Sequence, residues 1–365
     1  MTNITSWTDL AAISSALAED YTLTADLASG DGDYSSAGGD DWTALSTFTG
    51  TFDGNGFTIS DLIVDKVAVN DQGLFGIASG ATFTDIGLID ADITGKQSVG
   101  SLVGNSVNCD FIGCYCTGAV LTTHYYLMGG LIGLVDTNST VTSCYATDVT
   151  TTSTVDAPNI GGLIGTTVGT ITKCYSTGSV GGGGSGNTGG LIGAINGGAV
   201  SNCYSTATVT SYAGERVGGL AGRLSGATLD NSYATGNVIG TAQYVGGCVG
   251  DIQSATATNC YATGDVTGVA SGEDVGPFTG HDGTTGTNCW YSAEATILNT
   301  GSGDTNTGGT STPNSSDFYD KTLNVYDTTA TVWDFTTPIW YEYVSAYPLF
   351  IEEVIPARVS QTVMF

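Results

Sequence analysis

The sequence Gly-Gly-Leu-Ile-Gly closes at Gly133, Gly165 and Gly193, a Gly-Ser-Leu-Val-Gly version closes at Gly104, and Gly-Leu-Phe-Gly closes at Gly76. Looser copies end at Gly222, Gly250 and Gly280, so the steps between closing glycines are 28, 29, 32, 28, 29, 28 and 30 residues. A second motif keeps the same beat. Cys114-Tyr115, Cys144-Tyr145, Cys174-Tyr175, Cys203-Tyr204, Ser232-Tyr233, Cys260-Tyr261 and Cys289-Trp290 follow one another at 28 to 30 residues. Two motifs held in one register identify a chain built by stacking like units, each able to bury its apolar side chains only against its neighbours.

Each unit carries three short apolar segments, for instance Gly161 to Ile164, Ile171 to Tyr175 and Ser179 to Val180, separated by Gly, Thr, Asn and Ser. None has the length or the 3.6-residue period of a helix. With 55 Gly against 6 Pro, and abundant Thr and Ser, the composition also favours strands and tight turns. The predicted fold is all-β: a right-handed parallel β-helix of about eight coils, three short strands to a coil. Coils spaced by ~4.8 Å make a rod on the order of 40 Å long.

The spacing and the Gly-Gly-Leu-Ile-Gly core resemble the GLUG-motif repeat family of adhesin-like and phage-encoded β-helical proteins, over roughly residues 73 to 290. Phe52-Asp53-Gly54-Asn55-Gly56-Phe57 upstream, and Trp333-Asp334-Phe335 with Tyr347-Pro348-Leu349 downstream, are similar to what flanks such repeats. The resemblance implies a fold and no catalytic site, because the family is defined by its repeats.

Stacked coils place like residues on like. Leu131, Leu163, Leu191 and Leu220 are expected to form an inward aliphatic ladder, and Cys144, Cys174, Cys203 and Cys260 an inward thiol ladder. Coil spacing exceeds the Cβ separation of a disulfide, and Ser232 replaces one ladder cysteine, so the nine cysteines are read as free buried thiols. Cys109, Cys114 and Cys116 lie close in sequence, but His124 is the one histidine near them, and no zinc site is expected. If the cysteines point inward, their neighbours point outward or sit at a corner. Tyr115, Tyr145, Tyr175, Tyr204, Tyr233, Tyr261 and Trp290 therefore form a candidate binding stripe for sugar rings or a sister chain, the alternative being that they cover turn edges.

A formal net charge of -28 excludes nucleic acid and anionic membranes as partners. No apolar run approaches the ~18 residues of a membrane span, so no membrane insertion is expected. The acidic residues gather in turns, among them Asp31, Asp33, Asp136, Asp251, Asp265, Asp274 and Asp282, and are read as solvated. Ca2+ is the one cofactor such carboxylates leave open, although neither an EF-hand loop nor an RTX repeat is present.

Catalysis is not expected. The basic residues Lys66, Lys96, Lys173, Arg216, Arg223, Lys321 and Arg358 do not recur on the repeat beat, His124 and His281 stand isolated, and no Gly-x-Ser-x-Gly elbow occurs.

The ends divide the chain further. Residues 1–64 are read as an N-terminal cap and starting coil: Trp7, Leu10, Ile13 and Leu17 fall at helical spacing with Ser6 or Thr8 as N-cap. Repeats occupy 65–298. A Gly/Thr/Ser/Asn linker follows at 299–316, then an aromatic C-terminal cap at 317–350 and a docking tail at 351–365. Self-association, or assembly into a larger particle, is expected through the C-terminal region. The start of the sequence lacks the pattern of a secretory signal, so the expected role is a non-enzymatic virion appendage or decoration protein of a phage, on the virion surface. The alternative is a bacterial cell-surface or extracellular adhesin, and the distant one a polysaccharide-degrading β-helix.

Overall fold

The structure, a computed structural model, describes residues 1–299 apart from 124, 154–158, 185, 213, 242, 269–273, 283–285, 288 and 293–294, together with the strands Thr310–Thr312, Trp340–Tyr343 and Ala346–Phe350. It is a parallel β-solenoid. One coil shows the plan. The chain runs through Thr170–Thr172 on a first face, Tyr175–Gly182 on a second, Asn187–Gly189 on a third and Ile192–Ile195 on a fourth, then returns to the first at Ala199–Ser201. Thr170, Ile171 and Thr172 there pair in parallel with Ala199, Val200 and Ser201. Among the described residues the four faces hold ten, seventeen, six and nine strands in that order, the second face having up to two strands per coil. The nine strands of the fourth face mark nine successive coils.

Four faces, against three expected, follow from the glycines. The run Gly-Gly-Leu-Ile-Gly is not one strand: it bends after Gly189, and Ile192 starts the next face. A Cβ on Gly189 would overlap the Ile192 carbonyl oxygen, and one on Gly190 would overlap that of Gly219 in the next coil. Only hydrogen leaves room for the backbone at this corner. The corner between the first and second faces uses left-handed backbone instead. Gly113, Ser143, Lys173, Asn202, Asn231 and Asn259 all have φ between 48° and 64°, each one residue before the cysteine or serine of the second motif. Four of these six positions carry Gly or Asn, which tolerate this conformation locally.

Side chains inside the tube stack in columns. Leu131, Leu163, Leu191 and Leu220 are buried, and the column continues through Cys248 and Phe278. Toward the N-terminus the core becomes aromatic: Phe48, Phe52, Phe75, Phe83 and Phe111 are fully buried, with Phe83 and Phe111 stacked at 5.0 Å. The tube is closed there by the helix α1 (Trp7–Ala12), whose N-cap is Ser6, its hydroxyl accepting from the Asp9 amide at 3.2 Å. Trp7, Leu10 and Ile13 turn inward, and Trp7 packs edge-on against Tyr34 and Trp42.

The expected linker, aromatic cap and docking tail lie almost wholly outside the described residues. Within that region Thr310–Thr312 pairs in parallel with Trp290–Ser292, while Trp340–Tyr343 and Ala346–Phe350 form an antiparallel pair.

Candidate functional site: ladders and the polar seam

All nine cysteines are free and buried. The role of those in the second motif is set by the left-handed corner beside them. Cys144, Cys174, Cys203 and Cys260 each donate Sγ–H to the carbonyl two residues back, at 3.2 to 3.4 Å, and Ser232 donates its hydroxyl to Asp230 in the same way at 2.8 Å. Two of them also receive from the coil before: the Cys174 amide donates to Cys203 Sγ at 3.4 Å, and the Cys203 amide to Ser232 Oγ at 3.1 Å. The position therefore selects a small side chain with one donor and one acceptor, which explains why serine replaces cysteine. Leaving those backbone groups unpaired in a dry corner would cost roughly 1–3 kcal/mol each.

Burial pushes thiol ionisation upward, to about 12 for Cys116 and well above the ordinary range for Cys144, Cys203, Cys248 and Cys260. Thiolate is the reactive form. Native protein at pH 8 is expected to resist alkylation, and all nine thiols to react in urea without reductant, as counted by mass spectrometry. Paired cysteines in the unfolded chain would contradict the ladder. The sign for stability follows: raised native values mean that the contribution holds below about pH 8.5, the unfolded thiol value, and is lost as the pH rises through the native ones.

Tyr115, Tyr145, Tyr175, Tyr204, Tyr233 and Tyr261 stack face to face at 4.8 to 4.9 Å with interplanar angles of 3° to 9°, and Trp290 follows Tyr261 in register. Tyr115, Tyr145, Tyr175 and Trp290 are half-buried; Tyr204, Tyr233 and Tyr261 are buried. The column thus differs from an exposed platform. Neighbouring rings occupy one another's faces, and the faces are what a sugar would need.

Side chains that the sequence reading kept apart meet at a seam between the third and fourth faces. Asn159, Asn187, Arg216, Tyr244 and Asp274 align along one side of it, and Thr166, Ala194, Arg223, Asp251 and His281 along the other. The seam is bridged at Asn159, which donates to Thr166 Oγ1 at 2.9 Å and accepts from Asn187 at 2.7 Å.

Toward the C-terminal coils the bridge becomes ionic. Asp251 is 0% exposed, and its Oδ2 accepts from Arg216 Nε at 2.6 Å and Gln253 Nε2 at 2.7 Å, while Oδ1 lies 2.9 Å from His281 Nδ1. Tyr244 lies against the imidazole at 4.7 Å, tilted by 31°, and Arg223 secures Gln253 at 2.8 Å. Burial works against the charge on Arg216, but the Asp251 and Glu215 carboxylates outweigh it and hold the guanidinium protonated. An Asp–His pair orients a general base when a nucleophile lies beyond it. Among the described residues no hydroxyl or thiol hydrogen-bonds the imidazole, and no three His, Cys, Asp or Glu side chains form a metal-binding group. The chemistry of the cluster is that of a buried ion pair with a histidine at its surface.

Repeat, ladders and seam together define a parallel β-solenoid of stacked like coils. The GLUG motif is matched at two places, residues 124–152 and 213–239. The chain is also 31% identical to Halomucin of Haloquadratum walsbyi over 139 residues, which is 36% of this chain and 2% of Halomucin, so the chain spans a small fraction of that relative. Two solved structures share the fold. A Bacteroides ovatus protein described as a candidate immunoglobulin A1 protease matches over 96% of this chain and 91% of its own, with a TM-score of 0.50 at 21% identity. A structure described as IgA1 Protease matches over 82% of this chain and 22% of its own, with a TM-score of 0.53 at 23% identity.

Proposed function

We propose that this chain is a rigid acidic rod that serves structure and binding on the outside of a cell or particle, and that it is not an enzyme. The observation that carries this reading is the filled interior: from Leu131 through Phe278 the inward column is buried and continuous, so the repeats are spent on stiffness. A net charge of -28 suits display in salt-rich surroundings. Of the two carriers expected from the sequence, a phage virion and a cell surface, the similarity to a segment of Halomucin favours the cell surface.

The activity in the names of the two structural neighbours supplies the competing reading, proteolysis of immunoglobulin A1, and polysaccharide cleavage is the other. Purified chain incubated with immunoglobulin A1 and with a panel of polysaccharides is expected to leave both intact by mass spectrometry and reducing-end assay. Cleavage of either would overturn the reading. Antibodies against the chain are expected to label the envelope of intact source cells, and labelling of purified virions alone would move the rod to the other carrier.

A further inference from the structure

Three adjacent coils leave apolar side chains in water at the corner where the second face turns into the third. Val67 and Val69 are each 50% exposed and Tyr125 46%. They follow the strands Ile63–Asp65 and Val120–Thr123, which pair on either side of Asp92–Gly95. Lys96 follows that middle strand: its amide donates to the Val69 carbonyl at 2.9 Å, its carbonyl accepts from Thr123 Oγ1 at 3.3 Å, and its ammonium lies 5.5 Å from the Tyr125 ring. These bonds hold the three coils in one surface. A cavity of about 350 Å³ opens beside it, with Ala44, Lys66, Val69, Asp71 and Ile77 in its wall. Lys66 is paired with Asp41, and Asp71 is hydrogen-bonded by Ser98 and Asn105, whereas no carboxylate among the described residues pairs with Lys96.

We infer that this corner and its cavity dock residues 351–355 of the same chain, Ile-Glu-Glu-Val-Ile, a segment beyond the described residues. Charge and apolar surface choose the occupant together. Exposed valines call for aliphatic side chains, and an unpaired ammonium in a chain of net charge -28 calls for a carboxylate beside them. The sequence has four adjacent acidic pairs, Glu19-Asp20, Asp40-Asp41, Glu273-Asp274 and Glu352-Glu353, and Glu352-Glu353 alone has aliphatic residues on both sides. The chain is also long enough to bring it there. Thr310–Thr312 is tied to the rod through Trp290–Ser292, and the paired strands from there back to Tyr115 make seven coil steps, roughly 34 Å at ~4.8 Å a step. Residues 313–339 cover about 90 Å when fully extended. A tethered segment meets its own chain at an effective concentration far above that of a second copy in dilute solution, which decides between the two.

The test is zero-length carbodiimide coupling of the full chain, mixed in equal parts from natural and isotope-labelled protein, followed by digestion and mass spectrometry. An amide between Lys96 or Lys66 and Glu352 or Glu353 is expected, with both halves carrying the same isotope. Trypsin gives a second readout, because Arg358 follows closely on the docked segment. A Val69→Asp/Lys96→Glu variant with unchanged circular dichroism is expected to lose the amide and to be cut after Arg358 at least tenfold faster. Tyr212→Ala, at an exposed tyrosine outside these three coils, is expected to change neither. Glutamates 352 and 353 coupled elsewhere or not at all, amides of mixed isotope alone, or unchanged cutting of the double variant would overturn the inference and leave the rod reading intact.

Discussion

Replacing Asp251 with alanine is expected to destabilise the C-terminal coils by about 3 kcal/mol, the low end of the cost of breaking a buried ion pair by deleting one partner. The carboxylate has no access to water, and its three donors lose their acceptor together. Side-chain exposures of 17% for Arg216 and 40% for His281 keep the figure from going higher, since water reaches part of what is orphaned. The thermal midpoint of those coils should fall by on the order of 5 °C, and proteolysis should begin between residues 216 and 281. Glu215→Ala removes the outer partner of the same arginine, and because Glu215 is exposed the expected loss is under about 0.5 kcal/mol. Equal melting of the two variants would show that the seam does not lock these coils.

Gly189→Ala is expected to cost about 4 kcal/mol, more than an ordinary overpacking change, because what the methyl meets is backbone. Besides the Ile192 carbonyl, Ala221 Cα and Gly222 N of the next coil lie 2.7 Å from the added carbon. None of these atoms can rotate away, so two coils must separate. Gly226 is the comparison: its surroundings are open and its φ is +59°, so alanine there meets only left-handed strain of about 1 to 2 kcal/mol. Circular dichroism melts of the two variants measure the contrast. Similar losses would mean that the glycine corner yields more readily than its geometry implies.

Periodicity made much of this molecule readable in advance. Stacking places Leu163 on Leu191 and Cys174 on Cys203, so phase alone indicated an inward ladder. The number of faces was hidden because Gly-Gly-Leu-Ile-Gly looks like one apolar run; the bend at Gly189 depends on the approach of the next coil, which no local pattern records. Parity placed the tyrosines opposite the cysteines, but their ring faces are closed by the tyrosines above and below.

The seam was missed for a more instructive reason. Arg223, Asp251 and His281 differ in type and charge, yet each follows a closing glycine, Gly222, Gly250 or Gly280. Reading repeats by residue position rather than residue kind would have aligned them. Arg216 was equally visible as the partner of Asn187 one unit earlier. The pairing of Arg216 with Asp251 is out of reach even so, since it crosses from one face to the other between coils.

Every face of the tube is a parallel sheet whose strands lie across the rod, so its backbone hydrogen bonds point along the axis. Tension applied at the two ends of the chain therefore opens these bonds a coil at a time, like a zip, rather than shearing a whole sheet at once. Each coil released frees about 29 residues, or on the order of 100 Å of extended chain, in exchange for ~4.8 Å of rod. A molecule that resists bending in this way is also a shock absorber under load, paying out slack in equal steps. The Asp251 lock near one end and the Trp7 cap at the other set where that unravelling starts.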